Sequence, residues 1–148
     1  MMSAVRLSPR RLSYWAALAE LEGPALGGVV LFAGRVRPDR VPGGRVVALD
    51  YDAHVGPALR RLEEIASIAR RRYGARRVVL WHRVGRVPVG EVSVIAGAAC
   101  GHRAQAFAAA RYLIDELKAT VPLWKTVRAR PARRPRPPLR RGRARSAD

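Results

Sequence analysis

The sequence predicts an α+β fold: one domain over residues 1–127, followed by an arginine- and proline-rich tail over 128–148. Three observations carry this. Apolar residues recur at helical spacing in three separated segments, valine-rich segments of strand character lie between them, and these come in adjacent pairs with short connections. Adjacent strands so joined favour antiparallel pairing, and helices set apart from the strand pairs argue against a doubly wound sheet.

A short strand is expected first. Ser8-Pro9 then offers an N-cap followed by proline at the first helical position, and Leu12, Trp15, Ala16 and Ala19 recur at helical spacing until Gly23-Pro24 ends the run. GGVVLFAGRVR, residues 27–37, is a strand running into a basic turn. PDRVPGG is a loop, and RVVALDY, residues 45–51, places Val47, Leu49 and Tyr51 on one face. From Pro57 to Tyr73 a second helix has Leu59, Leu62, Ile65, Ala66 and Ala69 on one side, with Gly74 as terminator. Residues 76–85 and 91–99 are two further strands, joined by a turn containing Arg86, Pro88 and Gly90; the second strand alternates weakly, as expected if both its faces are buried. A third helix, about residues 103–118, has Phe107, Ala110, Ile114 and Leu117 in its apolar stripe and ends at Lys118.

Composition narrows the function classes. The formal charge is +18, but residues 128–148 hold nine arginines and one aspartate, so nearly half the excess sits in a segment too polar and self-repelling to build a core. That tail is expected to be disordered. Cys100 is the one cysteine, which forbids an intramolecular disulfide, excludes multi-cysteine zinc spacings and fits a reducing cytoplasm. No apolar run is long enough to span a membrane and the first residues lack a signal peptide's apolar stretch. With no GxGxxG, Walker loop or nucleophile elbow, nucleotide and serine-hydrolase chemistries lack their usual scaffolds.

Four clusters could carry chemistry. Arg35 and Arg37 in FAGRVR can hold an anion by paired hydrogen bonds, or form a solvated strand end. His102 and Arg103 stand where the third helix begins, where free N–H groups and the helix dipole favour an anion. His82 alternates with Trp81 inside a strand and is expected to be structural; Cys100 follows an apolar segment, as a small buried thiol does. Finally, LKATVPLWKTV contains Lys118 and Lys125, the only two lysines of a chain that otherwise uses arginine. Lysine differs from arginine in that its ammonium can lose a proton when desolvated or set beside other cations, giving an amine nucleophile or base. Compensation of the helix dipole by Lys118 and surface solvation of Lys125 are the alternatives.

FAGRVR, LDYDAHVGPAL, VVLWHRVGRVPVGEVSVIAGAACGHRAQAF and LKATVPLWK, in this order over roughly residues 5–126, resemble the large, catalytic subunit family of molybdopterin synthase. The resemblance implies an α/β-hammerhead fold and a homodimer at the centre of a heterotetramer, flanked by small ubiquitin-like sulfur-carrier subunits. The carrier's Gly-Gly end, as a thiocarboxylate, would supply sulfur to precursor Z, cyclic pyranopterin monophosphate, giving molybdopterin with no metal or other cofactor in this step. It further implies that Lys118 is the essential lysine, Lys125 a supporting one near the carrier's tail, and Arg37, His102 and Arg103 the phosphate-holding positions. After Lys125 the chain departs from the family's usual pattern, continuing with Thr126, Val127 and the basic tail. Two other functions stay open at this stage: a non-catalytic paralogue that binds the carrier, and a basic nucleic-acid-binding protein, the latter lacking any base-reading or stacking platform.

Overall fold

A computed structural model describes residues 4–136. In chain order the elements are β1 (Val5–Ser8), α1 (Tyr14–Glu20), β2 (Gly28–Arg35), β3 (Arg40–Val41), β4 (Gly44–Ala53), α2 (Val55–Tyr73), β5 (Arg77–Arg83), β6 (Gly85–Pro88), β7 (Val92–Cys100), α3 (Arg103–Thr120) and β8 (Leu123–Arg130). The α+β class and the three helices are as expected.

The first sheet has strand order β1-β5-β7-β2, with β1 and β5 parallel and the other pairs antiparallel. Its two central strands are apolar on both faces because each face is covered. Val78, Leu80, Val94, Ala96 and Ala98 pack under α2 and α3, together with Leu62, Ile65 and Leu113. Val79, Trp81, Ile95 and Ala99 pack under Ala17 and Leu21 of α1. Helices on both faces turn a period-two strand into a continuous apolar run.

The second sheet runs β3-β4-β6, with β8 added along β4. Val36, Val46, Leu49 and Val87 form its small core. Within β4 the register shifts between Val46 and Ala48, a bulge that leaves Val46 and Leu49 buried and Val47 exposed. The expected alternation through Val47 is therefore broken by one extra residue. The connection expected between residues 85 and 91 contains β6, which pairs with β4 over Gly85–Pro88.

Two helix details differ from expectation. Ser8 does not cap α1: it ends β1, paired with Arg83, and Ser13 caps instead, its Oγ accepting from the Ala16 N–H at 3.2 Å. The parallel ladder with β5 keeps Ser8 extended and delays the helix, so Ala17 and Leu21 face the core while Trp15 is 82% exposed. On α3, Ala110, Ile114 and Leu117 are buried as expected, but Phe107 is exposed. β8 extends the ordered ladder to Arg130, three residues beyond the expected boundary at Val127. Beyond it, residues 131–136 form no helix or strand, and residues 137–148 of the expected tail lie outside the described residues.

Candidate functional site

The two lysines arrive from different elements. Lys118 stands in the last turn of α3. The end of that helix is tied to α2 by Arg61, whose Nε donates to Thr120 Oγ1 at 2.8 Å and whose Nη2 donates to Glu116 Oε2 at 3.2 Å. Val121 closes the helix in an extended conformation, Pro122 cannot continue it, and the chain leaves as β8. Lys125 then falls opposite Tyr51 in the β4–β8 register.

Tyr51 links this strand to the first sheet: its ring meets the imidazole of His82 edge-on, with centroids 4.7 Å apart. His82 is 5% exposed, and its Nδ1 lies 2.6 Å from the Arg83 carbonyl oxygen. Burial is the main reason its pKa drops from 6.5 to about 4, with the nearby charge of Lys118 adding to the drop and the backbone bond opposing it. The ring is thus neutral at pH 7.

Two cavities open at this junction. The smaller, about 180 Å³, is lined by Tyr51, His82, Leu117, Lys118, Trp124 and Lys125, among others. The larger, about 580 Å³, is lined by Phe32, Arg35, Arg37, Leu49, Lys118 and Lys125, among others. Tyr51, Ser93, Val94, Lys118 and Lys125 belong to both, so the lysines stand on the shared wall. Among the described residues the only carboxylate on either lining is Asp39, already paired with Arg37 at 3.2 Å, while Arg35 donates to the Tyr14 hydroxyl at 3.0 Å. Among the described residues neither lysine is paired with a carboxylate, and both are exposed. A pocket with this surplus of cations attracts an anion.

Of the cations singled out from sequence, Arg35, Arg37, Lys118 and Lys125 converge here. His102 and Arg103 do not: they sit at the other end of α3, sixteen and fifteen residues from Lys118, which puts Arg103 about 22 Å away along the helix axis. His102 is the N-cap, without a side-chain capping bond, and the backbone there packs so closely on β2 that a Cβ on Gly28 would lie 2.9 Å from the Arg103 Cα. Cys100 is 1% exposed in the core, where burial pushes its thiol pKa up. His82, expected to be structural, is buried within β5 and in addition lines the smaller cavity, which its place in HRVG does not reveal. Among the described residues no cluster of His, Cys, Asp and Glu could hold a metal ion, and no helix is long and apolar enough to cross a membrane.

A family model described as MoaE protein matches residues 7–120. The chain belongs to the MoaE family. Within it, the chain is 48% identical over 101 residues to the molybdopterin synthase catalytic subunit of Oryza sativa subsp. indica, a match covering 68% of this chain and 52% of that one. The chain thus spans about half the length of the rice relative. Among solved structures, molybdopterin synthase from Staphylococcus aureus superposes with a TM-score of 0.81 at 23% identity, covering 87% of this chain and 93% of that one. A complex of subunits 1 and 2 of molybdopterin-converting factor from Helicobacter pylori gives a TM-score of 0.71 at 19% identity, covering 84% of each chain. At these identities the two structures establish a shared fold.

Proposed function

We propose that this chain is the catalytic subunit of a molybdopterin synthase, a sulfurtransferase that converts precursor Z to molybdopterin with sulfur from the thiocarboxylated Gly-Gly end of a small carrier subunit. The observation that carries this reading is the convergence of Lys118, Lys125 and Arg37 on two adjoining cavities of different size. The larger, about 580 Å³, lies in the range that accommodates a small-molecule ligand, and Arg37 at its wall suits a cyclic phosphate. The smaller, about 180 Å³, suits a chain end without side chains, and its Trp124 and Leu123 offer an apolar entry. A thiocarboxylate entering there meets two cations just where it would attack the pterin, so the shared wall supplies both proximity and charge neutralisation. Lys118 assists attack or proton transfer; Lys125 holds the tail. The complex of two subunits formed by the Helicobacter pylori neighbour favours a carrier partner for this chain as well.

The roles of His102 and Arg103 require a second copy. One α3 cannot bring its two ends into one pocket across about 22 Å, so these residues serve the phosphate only if they reach the site of the other protomer in a homodimer. Sulfur arrives on the carrier, which leaves Cys100 free to be a core residue. The reaction belongs in the cytoplasm, where a free thiol and a thiocarboxylate both persist.

Mixing Lys118→Ala chains with Arg103→Ala chains tests this reading. Each variant alone should form little molybdopterin from precursor Z and thiocarboxylated carrier, whereas a mixed dimer, with one of its two sites intact, should regain up to about half the activity of an unaltered dimer. Failure of the intact chain to form product while it binds the carrier would leave the carrier-binding paralogue as the function.

A further inference from the structure

The His82 imidazole is held in a way that a purely structural histidine does not need. A carbonyl oxygen only accepts, so at 2.6 Å from the Arg83 oxygen it is Nδ1 that carries the proton, and the neutral ring keeps its lone pair on Nε2. The edge-on contact with Tyr51 at 4.7 Å restrains the ring from turning. Nε2 has no hydrogen-bond partner among the described residues, and His82 lines the same cavity as Lys118. Among the described residues the buried polar side-chain atom left without a partner is Arg83 Nε and not His82 Nε2, so the imidazole lone pair opens on that cavity.

We infer that His82 is a positioning residue for Lys118: Nε2 is a fixed acceptor on the cavity wall, and the Lys118 ammonium, swung inward along its flexible stem, donates to it. No hydrogen bond joins the two in the present conformation, in which the Lys118 side chain is exposed. In solution the amine exchanges between its exposed position and this acceptor, which defines where it rests inside the cavity. The neutrality of the ring matters to this role, since a charged imidazole would offer no lone pair and would repel the ammonium. The inference gives a role to the same site as the proposed sulfur transfer and rests on that reading for its purpose, but its test does not depend on turnover.

The full chain, labelled with 15N at its three histidines, reads the contact directly. At neutral pH the Nε2 signal of His82 should be that of an unprotonated nitrogen, and it should move on Lys118→Met while staying in place on Lys125→Met. Acylation by acetic anhydride reads it from the other side, with Lys125 as internal control. His82→Asn keeps a donor for the Arg83 carbonyl but lacks the Nε2 acceptor, so Lys118 should be acylated faster relative to Lys125, by up to about tenfold if a charge-assisted hydrogen bond is lost. His82→Gln, which returns an acceptor near the Nε2 position, should restore the ratio. An Nε2 signal indifferent to Lys118→Met overturns the inference whether or not the His82 variants fold, and so does a folded His82→Asn with an unchanged acylation ratio. A chain with no synthase activity can still pass both tests, and an active one can fail them.

Discussion

Arg128 Nε donates a 2.6 Å hydrogen bond to Oδ2 of Asp50, across the pairing of β8 with β4. The other carboxylate oxygen accepts from Arg86 Nε of β6 at 2.9 Å, so one acidic side chain ties together the strands on both sides of β4. These bonds to two guanidinium groups hold the Asp50 pKa down, from 3.8 to about 2. The strand they secure is the one that carries Lys125.

Asp50→Asn should therefore loosen β8 before it affects the first sheet. A depressed carboxylate pKa contributes stability that is present above its ordinary value and lost as pH falls through about 2, so the wild-type advantage over Asp50→Asn should be full at pH 5 and should fade below pH 3.8. Hydrogen exchange at the amides of residues 123–130 is the sensitive measurement: faster in the variant there, and unchanged in β5 and β7.

The same ladder predicts where the chain can be shortened. Ending it at Val127 removes three paired residues, Arg128 among them, whereas ending it at Arg136 removes none of β8. The shorter chain should have a lower thermal midpoint than the full chain and the longer one an unchanged midpoint, as scanning calorimetry would record.

His82 predicts a second pH dependence, of opposite origin. Because burial lowers its pKa from 6.5 to about 4, the unfolded chain binds a proton over this interval that the folded chain does not, and stability falls as pH drops from about 6.5 towards 4. The full interval corresponds to at most roughly 3 kcal/mol. The imidazole faces the Arg83 carbonyl, the Tyr51 ring and the cavity that Lys118 lines, and among the described residues that lining contains no carboxylate to offset its protonation. Urea unfolding at pH 7 and pH 4.5 should show a smaller loss for His82→Asn than for the wild type.

The packing of β2 against the start of α3 leaves no room for a methyl group. Gly28→Ala would put a Cβ 2.9 Å from the Arg103 backbone, and the helix end must shift to relieve it, at a cost of about 1–3 kcal/mol. Chemical denaturation should show the loss, and exchange should quicken in the first turn of α3.

What the sequence disclosed depended on whether the signal was local. The helix ending at Gly74 was legible because its stripe and its left-handed terminator, at φ 68°, are both short-range features. Lys118 and Lys125 were legible because their rarity and the intervening Pro122 are visible without a fold. By contrast, the start of α1 was misplaced because Ser8 is claimed by Arg83, far along the chain, and β6 was hidden inside what looked like a turn because only β4 defines it. The face assigned to Val47 was lost to a bulge that no residue type announced. For the site, residue type identified cations suited to an anion but not their grouping: α3 separates Arg103 from Lys118, and only the strand pairing brings Tyr51 and His82 to the lysines.

The most direct test of the account is a single-turnover reaction of precursor Z with thiocarboxylated carrier, comparing the intact chain with Lys118→Ala at matched carrier occupancy. The account predicts molybdopterin from the intact chain and a loss of at least about a hundredfold in its rate of formation with Lys118→Ala, with carrier binding retained. Equal rates from the two chains would contradict it, because the lysine on the shared wall would then play no part in sulfur transfer.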